Sequence, residues 1–460
     1  MFIQSDLTQL RNRVIGAVLL PGMPGYDDER ATFNLSTPLA PALVVAAAST
    51  ADVQAAIGFA TEHGLAVAVR GGGHLQPRDA AGQLLLTLDR MTSVEIDQDR
   101  QTVRVTGSPR WEKILAVAAK SGLAPMNGSS PNVGAVGYLL GGGLSPVLGR
   151  LHGYASDHVT SIQVVTADGE LRTVTATHEP ALFFALRGSK GNLGVVTGIE
   201  FRLFPISTVY AGGLWLPGAR VAEALPAWRD WAATLPEEAS TSIAVQRLPD
   251  LPGVPEPLAG AFVLHLRYSY VGEAGRGEEL LAPMRALGET VFDTVGTLPY
   301  GESGTLHNDP PAPLPYYDRA MGLRALPDDL LATLVELTGP DADCPLVSVE
   351  IRLLGGALDR PPAAPDAIPS RGVPFNLFAI GVSAPDQAAP LKDYLETFAA
   401  TLAPWRHARS MVNFVSPEEG HTPGELREIY GPELYDRIVA VKEKYDPDNL
   451  FRVNHNIVRA

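Results

Sequence analysis

The sequence holds a single cysteine, Cys344, in 460 residues. A disulfide framework within the chain and a multi-cysteine metal site are therefore excluded, and Cys344 itself reads as a small buried residue. Basic residues are scarce: 36 Lys and Arg, only six of them Lys, stand against 51 Asp and Glu, for a net charge of −15. That balance lacks the basic footprint of a nucleic-acid binder. No apolar run reaches the ~18 residues of a membrane span; the best candidates, Val14–Leu20 and Pro38–Ala48, are short and broken by Gly or Pro. Arg11 and Arg13 precede the first of these in the manner of a signal n-region, but no A-x-A cleavage pattern follows directly, which points to a cytoplasmic protein. No internal repeat is present.

Glycine (45) and proline (39) are abundant, yet below the ~25–30% combined share that marks low complexity. With 45% hydrophobic residues a sizeable core is available, and at ~100–200 residues per domain the length suits two or three domains. Residues 1–205 alternate strand-like and helix-like segments. Ala42–Ala47 reads as a strand, Ser49-Thr50 as the cap of a helix over Ala51–His63, Leu65–Val69 and Leu84–Leu88 as strands, Val94–Ile96 and Val103–Thr106 as a hairpin or meander, Trp111–Ser121 as a helix, and Ile162–Thr166 as a further strand. The middle is proline-rich. Strand-like segments recur there at Ala211–Leu216, Ser242–Arg247, Phe262–Tyr270, Val347–Leu354 and Phe375–Val382, with helices at Arg220–Leu235 and Asp328–Leu337. A sheet backed by helices on one face fits. The segments 249–257 and 309–315 read as surface loops. A last helix, Gly431–Tyr445, precedes the end of the chain.

Three glycine-rich segments carry the chemistry. Arg70-Gly71-Gly72-Gly73-His74 follows a strand, and its glycines let consecutive N–H groups turn toward one point, a concave nest suited to a pyrophosphate. It is neither a P-loop, because no Lys-Ser/Thr follows, nor a G-x-G-x-x-G; taken alone it reads first as a turn with an exposed His. Gly134 through Gly143 place five glycines in ten residues, a density that implies backbone pressed against something flat or anionic, or else tight turns at element contacts. Leu186 through Val196 contribute Gly191-Asn192-Leu193-Gly194. Together they suggest a dinucleotide lying across the first domain.

These segments, with Val164 through Glu170, Leu182 through Gly188 and the terminal run Tyr445 through Ile457, resemble the flavin-linked oxidases of the vanillyl-alcohol oxidase superfamily, in the berberine-bridge-enzyme-like branch; the chain is also similar to the hydroxynicotine-oxidase-like branch. The resemblance spans nearly the whole chain. It implies the two-domain α+β PCMH-type FAD-binding fold: an FAD domain from residues 1–205 and 410–460, and a substrate domain, 206–409, whose antiparallel sheet, backed by helices, lies over the flavin. It implies FAD attached covalently through the flavin 8α carbon to His74, with Arg70, Gly71, Gly72 and Gly73 at the pyrophosphate. Further cofactor contacts fall on Gly128, Ser129, Ser130, Val133, Gly134, Gly137, Gly141, Gly142, Asn192, Gly194, Val196, Asn454 and Asn456. Many relatives carry a second tether, a Cys in G-x-C-x-x-V-G. Here Ser130 stands at that position, and a hydroxyl cannot replace the thiolate, so a single covalent link is expected. His455 replaces the usual Gln as a packing or hydrogen-bonding residue.

The reaction implied is hydride transfer from a C–N or C–O bond of a small metabolite, with electrons passed to O₂; no nucleic-acid or membrane partner is expected, and the chain is expected as monomer or homodimer. A flavin-dependent monooxygenase or dehydrogenase, or a non-catalytic flavin-binding protein, are the alternatives. Many relatives carry a Tyr base in a Y-x-N segment; here Met411-Val412-Asn413 places a thioether there. Loss of the phenol points toward amines, whose nitrogen lone pair drives hydride loss. Otherwise another base serves. Glu350 is the best candidate, through a carboxyl raised by burial, with an ion pair to a neighbouring Arg as its structural reading. Tyr316 and Tyr317 are weaker candidates for the base, reading first as loop aromatics, and His307 reads as a loop His. Asn413 is placed near the substrate or flavin.

Overall fold

The computed structural model describes residues 4–76, 78–251 and 254–460. Residues 252 and 253 of the loop expected over 249–257 lie outside them, while 309–315 is an exposed loop. Three sheets organise the chain. The first orders Ala17–Leu19, Leu43–Ala46, Leu84–Thr87 and Val67–Arg70, with its last three strands parallel. The helix Thr50–Glu62 crosses over this sheet. Ser49 caps it by accepting a hydrogen bond from the Asp52 amide (3.2 Å), which satisfies one of the orphan donors of the first turn. Arg11 and Arg13 belong to the helix Gln4–Arg13. The second sheet is antiparallel and orders Val94–Asp97, Thr102–Thr106, Val195–Arg202, Val159–Val165 and Leu171–Val174. Its first two strands pair as the expected hairpin.

The third sheet has eight strands, all drawn from residues 208–382. Its main path runs Phe292–Asp293, Thr208–Pro217, Phe262–Tyr270, Ala239–Arg247, Ser348–Leu353, Phe375–Val382 and Tyr316–Leu323, with Gly296–Pro299 also pairing Thr208–Pro217. Side chains alternate between its faces. Ile243, Val245, Leu264, Leu266, Tyr268, Val349, Ile351 and Leu377 fall on one face and are buried against Val221–Ala232, Ala274–Arg285, Asp328–Thr338 and Ala389–Leu402. Cys344 is buried in this same core. The other face carries Ser242, His265, Arg267, Glu350, Arg352 and Asn376, all buried polar or charged. Tyr316 and Tyr317 open a strand and are not loop residues, and the helices Ala274–Arg285 and Ala389–Leu402 were not legible beforehand.

The end of the chain returns to the first two sheets. The helix Pro432–Tyr445 starts from Gly431, and its Lys442 is sealed from solvent. The Lys442 ammonium donates to Asp446 Oδ2 (2.8 Å) and to the Asn192 carbonyl (2.7 Å). Asp446 in turn accepts the Leu450 and Phe451 amides. Removing one partner leaves the other charge buried and uncompensated, so Lys442→Met is expected to destabilise the fold by about 3–5 kcal/mol. Equilibrium urea unfolding checks this, and a loss under about 1 kcal/mol, typical of a solvent-exposed pair, would refute the role given to the pair.

Candidate functional site

A cavity of about 330 Å³ opens where the glycine-rich loops meet the C-terminal segment. Its wall includes Gly71, Gly72, Gly73, His74, Gly128, Ser129, Val133, Gly134, Gly137, Asn192, Gly194, Val196, Asn413 and Asn454, fourteen of the residues singled out from sequence. Two loops touch backbone to backbone at its floor. A Cβ on Gly72 would stand 2.6 Å from the Gly134 nitrogen, and one on Gly134 would stand 2.9 Å from the Gly72 nitrogen. Only glycine on both sides permits that approach.

His74 is partly buried in this wall rather than exposed in a turn. Its ring stacks on Phe33 at 3.9 Å, and one nitrogen is engaged by the Asn132 backbone. Nε2 is buried without a partner among the described residues. Desolvation holds the imidazolium down to about 4, so the ring is neutral at neutral pH. The phenol of Tyr316 donates to the His74 carbonyl (2.6 Å). That hydroxyl is committed to holding the loop and burial raises its pKa, which removes Tyr316 as a proton acceptor.

Five cofactor residues expected from sequence lie outside the wall. Arg70 turns into the protein, pairing with Asp89 (2.8 Å) and donating to the Glu29 carbonyl (3.1 Å). Ser130 is buried, and its hydroxyl accepts the Asn132 amide (3.3 Å). Gly141 makes room for a neighbour: a Cβ there would fall 2.0 Å from Asn413 Oδ1. Asn413 thereby reaches the Tyr138 carbonyl (2.9 Å). Gly142 packs against Ile368 and Tyr154. Asn456 keeps a buried Oδ1 without a partner among the described residues, whereas Asn454, on the wall, donates to the Gly191 and Phe451 carbonyls. His455 fills a buried position with Nε2 at 3.2 Å from the Ser416 carbonyl, and burial lowers it to about 3.

Glu350 differs from its expected state. It is buried with Oε1 at 2.8 Å from Arg267 Nη1 and Oε2 at 2.8 Å from Arg352 Nη2. His307, in the turn after Tyr300–Leu306 as expected but buried, lies 3.4 Å from Oε1. Burial alone would raise the carboxyl; the two guanidiniums outweigh it and hold it well below the usual carboxylate range. The raised-pKa base is therefore corrected to an ionised anchor in an arginine pair. Arg352 lines the cavity, while Met411 sits in an apolar cluster with Leu144, Tyr154 and Ile368.

Two further wall residues escaped the sequence reading. Tyr138 presents a buried hydroxyl without a partner among the described residues, and burial raises it well above its ordinary value, so it stays a neutral phenol able to donate or accept a hydrogen bond. Lys190, partly exposed, is lowered by desolvation to about 7. Both lie inside glycine-rich segments, but the glycines alone do not mark them; they became visible only when the loops were brought together. The buried, unpaired His74 Nε2, Tyr138 hydroxyl, Ser108 Oγ and Asn454 Oδ1, with the glycine cradle, fit a large ligand that brings its own polar atoms.

Comparison with known proteins agrees with that geometry. Residues 41–175 match the family described as "FAD binding domain", and residues 411–458 the family described as "Berberine and berberine like". The chain is 29% identical to the (R)-6-hydroxynicotine oxidase of Paenarthrobacter nicotinovorans over 96% of its own length and 96% of that protein. It is 28% identical to the xylooligosaccharide oxidase of Thermothelomyces thermophilus, over 93% and 89% respectively. Among solved structures, 6-hydroxy-D-nicotine oxidase from Arthrobacter nicotinovorans superimposes with a TM-score of 0.80 at 25% identity, over 96% of this chain and 98% of that one. The carbohydrate oxidase of Microdochium nivale shares the fold, with a TM-score of 0.85 at 20% identity over 99% of each chain.

The buried histidines make stability pH-dependent. His74, lowered to about 4, and His455, lowered to about 3, start from an ordinary 6.5. Between these values the unfolded chain binds protons that the folded form refuses, so stability falls as pH drops below 6.5. Each group contributes a slope of up to about 1.4 kcal/mol per pH unit. Thermal unfolding from pH 7 to 4 should show a falling midpoint, with a shallower fall in His455→Gln; parallel curves for the two proteins would refute this.

Proposed function

We propose that this chain, whose residues 41–175 match the FAD-binding domain family and 411–458 the berberine-like family, is an oxidase carrying FAD on a single covalent bond to His74. The observation that supports this best is the state of His74. Its imidazole is neutral and its Nε2 is buried without a partner among the described residues. A neutral ring keeps one nitrogen lone pair free of a proton, which bond formation to carbon requires. Phe33 and the Tyr316 hydroxyl steady the ring and its backbone. Gly71, Gly72, Gly73 and Gly134 would take the pyrophosphate, and Asn192, Gly194 and Asn454 the opposite wall. Ser130 offers a hydroxyl where a second tether needs a thiolate.

Bound in this cavity, FAD supplies hydride acceptance from a C–N or C–O bond and discharge of the electrons to O₂. The protein's residues supply orientation and proton control. Tyr138 holds a free hydroxyl that can donate a hydrogen bond to a bound ligand. Asn413 is held by the Tyr138 carbonyl with its Oδ1 against Gly141. Met411 offers no proton acceptor, and both oxygens of Glu350 are claimed by arginines. A substrate whose nitrogen carries its own lone pair suits such a wall, and we place amines ahead of alcohols. A substrate that does need deprotonation would find His307, a neutral imidazole with Glu350 behind it.

Two experiments test these steps separately. Acid precipitation should leave the yellow colour in the pellet, and His74→Ala should move it to the supernatant; a colourless pellet from the unmodified protein overturns the covalent bond. Anaerobic mixing with libraries of amines and alcohols should bleach the absorbance near 450 nm with amines first. No bleaching by any member of either library would count decisively against an oxidase.

A further inference from the structure

Beside the large cavity, on the polar face of the eight-stranded sheet, lies a slot of about 30 Å³ whose wall includes Arg267, Arg352, His307 and Ser242. We propose that this slot is an anion subsite that takes a carboxylate head on the substrate, with Arg267 and Arg352 as its specificity-determining donors. The proposal rests on reading the adjoining cavity as the flavin site.

The charge count comes first. Arg267 is 5% exposed and Arg352 9% exposed. They share one carboxylate, Glu350. Burial holds His265 and His307 neutral. Asp309 acts on Arg267 only at longer range, and its carboxylate accepts from the Ser129 hydroxyl (2.7 Å). Arg150 also lines the slot but spends its N–H groups on the Ala239, Leu354, Leu235 and Pro236 carbonyls. Arg267, Arg352 and Glu350 alone leave one net positive charge away from water, an arrangement that is costly unless an anion joins it.

The donors come second. Arg267 Nε, Arg352 Nε and Ser242 Oγ are buried and have no hydrogen-bond partner among the described residues. Arg267 Nη1 is spent on Glu350 Oε1, 2.8 Å away. Other hydroxyls of the slot are engaged: Ser240 bonds the Val147 carbonyl, Ser269 the Pro146 carbonyl, and Thr241 the Arg267 carbonyl. What remains free is guanidinium edge, the group whose planar fork matches a carboxylate.

Size and position come third. At about 10–15 Å³ per water-sized probe, the slot holds roughly two oxygen-sized groups, a carboxylate rather than a sugar ring or a tetrahedral phosphate. Arg352 lines both the slot and the large cavity, and its guanidinium lies 5.1 Å from the centre of the Phe414 ring. Phe414 lines the large cavity as well. A substrate anchored by its acid end in the slot thus extends its other end past Arg352 into the flavin cavity.

Sodium benzoate and the neutral, equally sized benzamide are the probes. Each is titrated into the purified flavin-loaded protein without oxygen, following the flavin difference spectrum and the thermal unfolding midpoint. Benzoate is expected to bind at least tenfold more tightly than benzamide. Arg267→Gln should weaken benzoate at least tenfold and leave benzamide unchanged; Glu350→Gln, which frees both guanidiniums, should tighten benzoate. If Arg267→Gln fails to fold, Arg352→Lys and Glu350→Gln carry the comparison. Equal binding of the two probes, or benzoate binding unaffected by these substitutions, overturns the proposal. A protein that binds benzoate but is bleached by no donor refutes the oxidase and keeps the subsite; one bleached by amines yet indifferent to benzoate does the reverse.

Discussion

One buried knot ties the end of the chain to its beginning. Lys442 binds Asp446 and the carbonyl of Asn192, and Asn192 spends its side chain on the Ser189 and His455 carbonyls and the Ile457 amide. A charge pair sealed from water is tolerable only when the remaining donors and acceptors are met, and here neighbouring backbone meets them. The consequence reaches the cavity. Asn454 and His455 form part of its wall, and they are held there because the segment on either side is fixed by this knot. The loops at Gly72 and Gly134 set the floor, but the cavity is enclosed only once the chain has returned after the eight-stranded sheet.

The electrostatics of the opposite side follow from packing. The apolar face of that sheet is buried under four helices, and burial of one face specifies register, since a slip by one residue would turn every side chain over. With register set, the polar face is set too. Ala244 pairs with both His265 and Glu350, and Ser242 with both Arg267 and Arg352. Four titratable groups from two strands are thereby brought to one place, on either side of Ala239–Arg247. Hydrophobic residues that never touch the cavity thus decide which charges stand beside it.

This explains what could be read beforehand and what could not. The glycine loops were legible because glycine density is a property of sequence alone, and the hairpin Val94–Asp97 with Thr102–Thr106 because strand alternation is local. Glu350 was legible as a strand carboxylate near the site, but its protonation was not: Arg267 arrives from another strand, and no local pattern announces it. Gly141 was read as ligand-facing, yet its missing side chain serves Asn413, from the far end of the chain. Arg70 sits in the motif but answers to Asp89 and Glu29. A motif marks where backbone must come close; which side chains face inward depends on contacts distant in sequence.

Met411 can be understood in the same terms. It lies among Leu144, Tyr154, Leu354, Leu358, Ile368 and Val373, all buried. A phenol in that cluster would need a partner for its hydroxyl, since an unpaired buried polar group costs about 1–3 kcal/mol. The one hydroxyl in the cluster, that of Tyr154, is already engaged by Ser370. The surroundings therefore match a thioether, and the position does not read as an intact base site with one residue lost. The charge stands elsewhere, at Arg352 on the wall and at Arg267 and Glu350 behind it, where two cations hold one anion ionised. A surface that is apolar at one point and cationic at another offers a substrate no proton acceptor of its own, and on that ground amines are proposed ahead of alcohols.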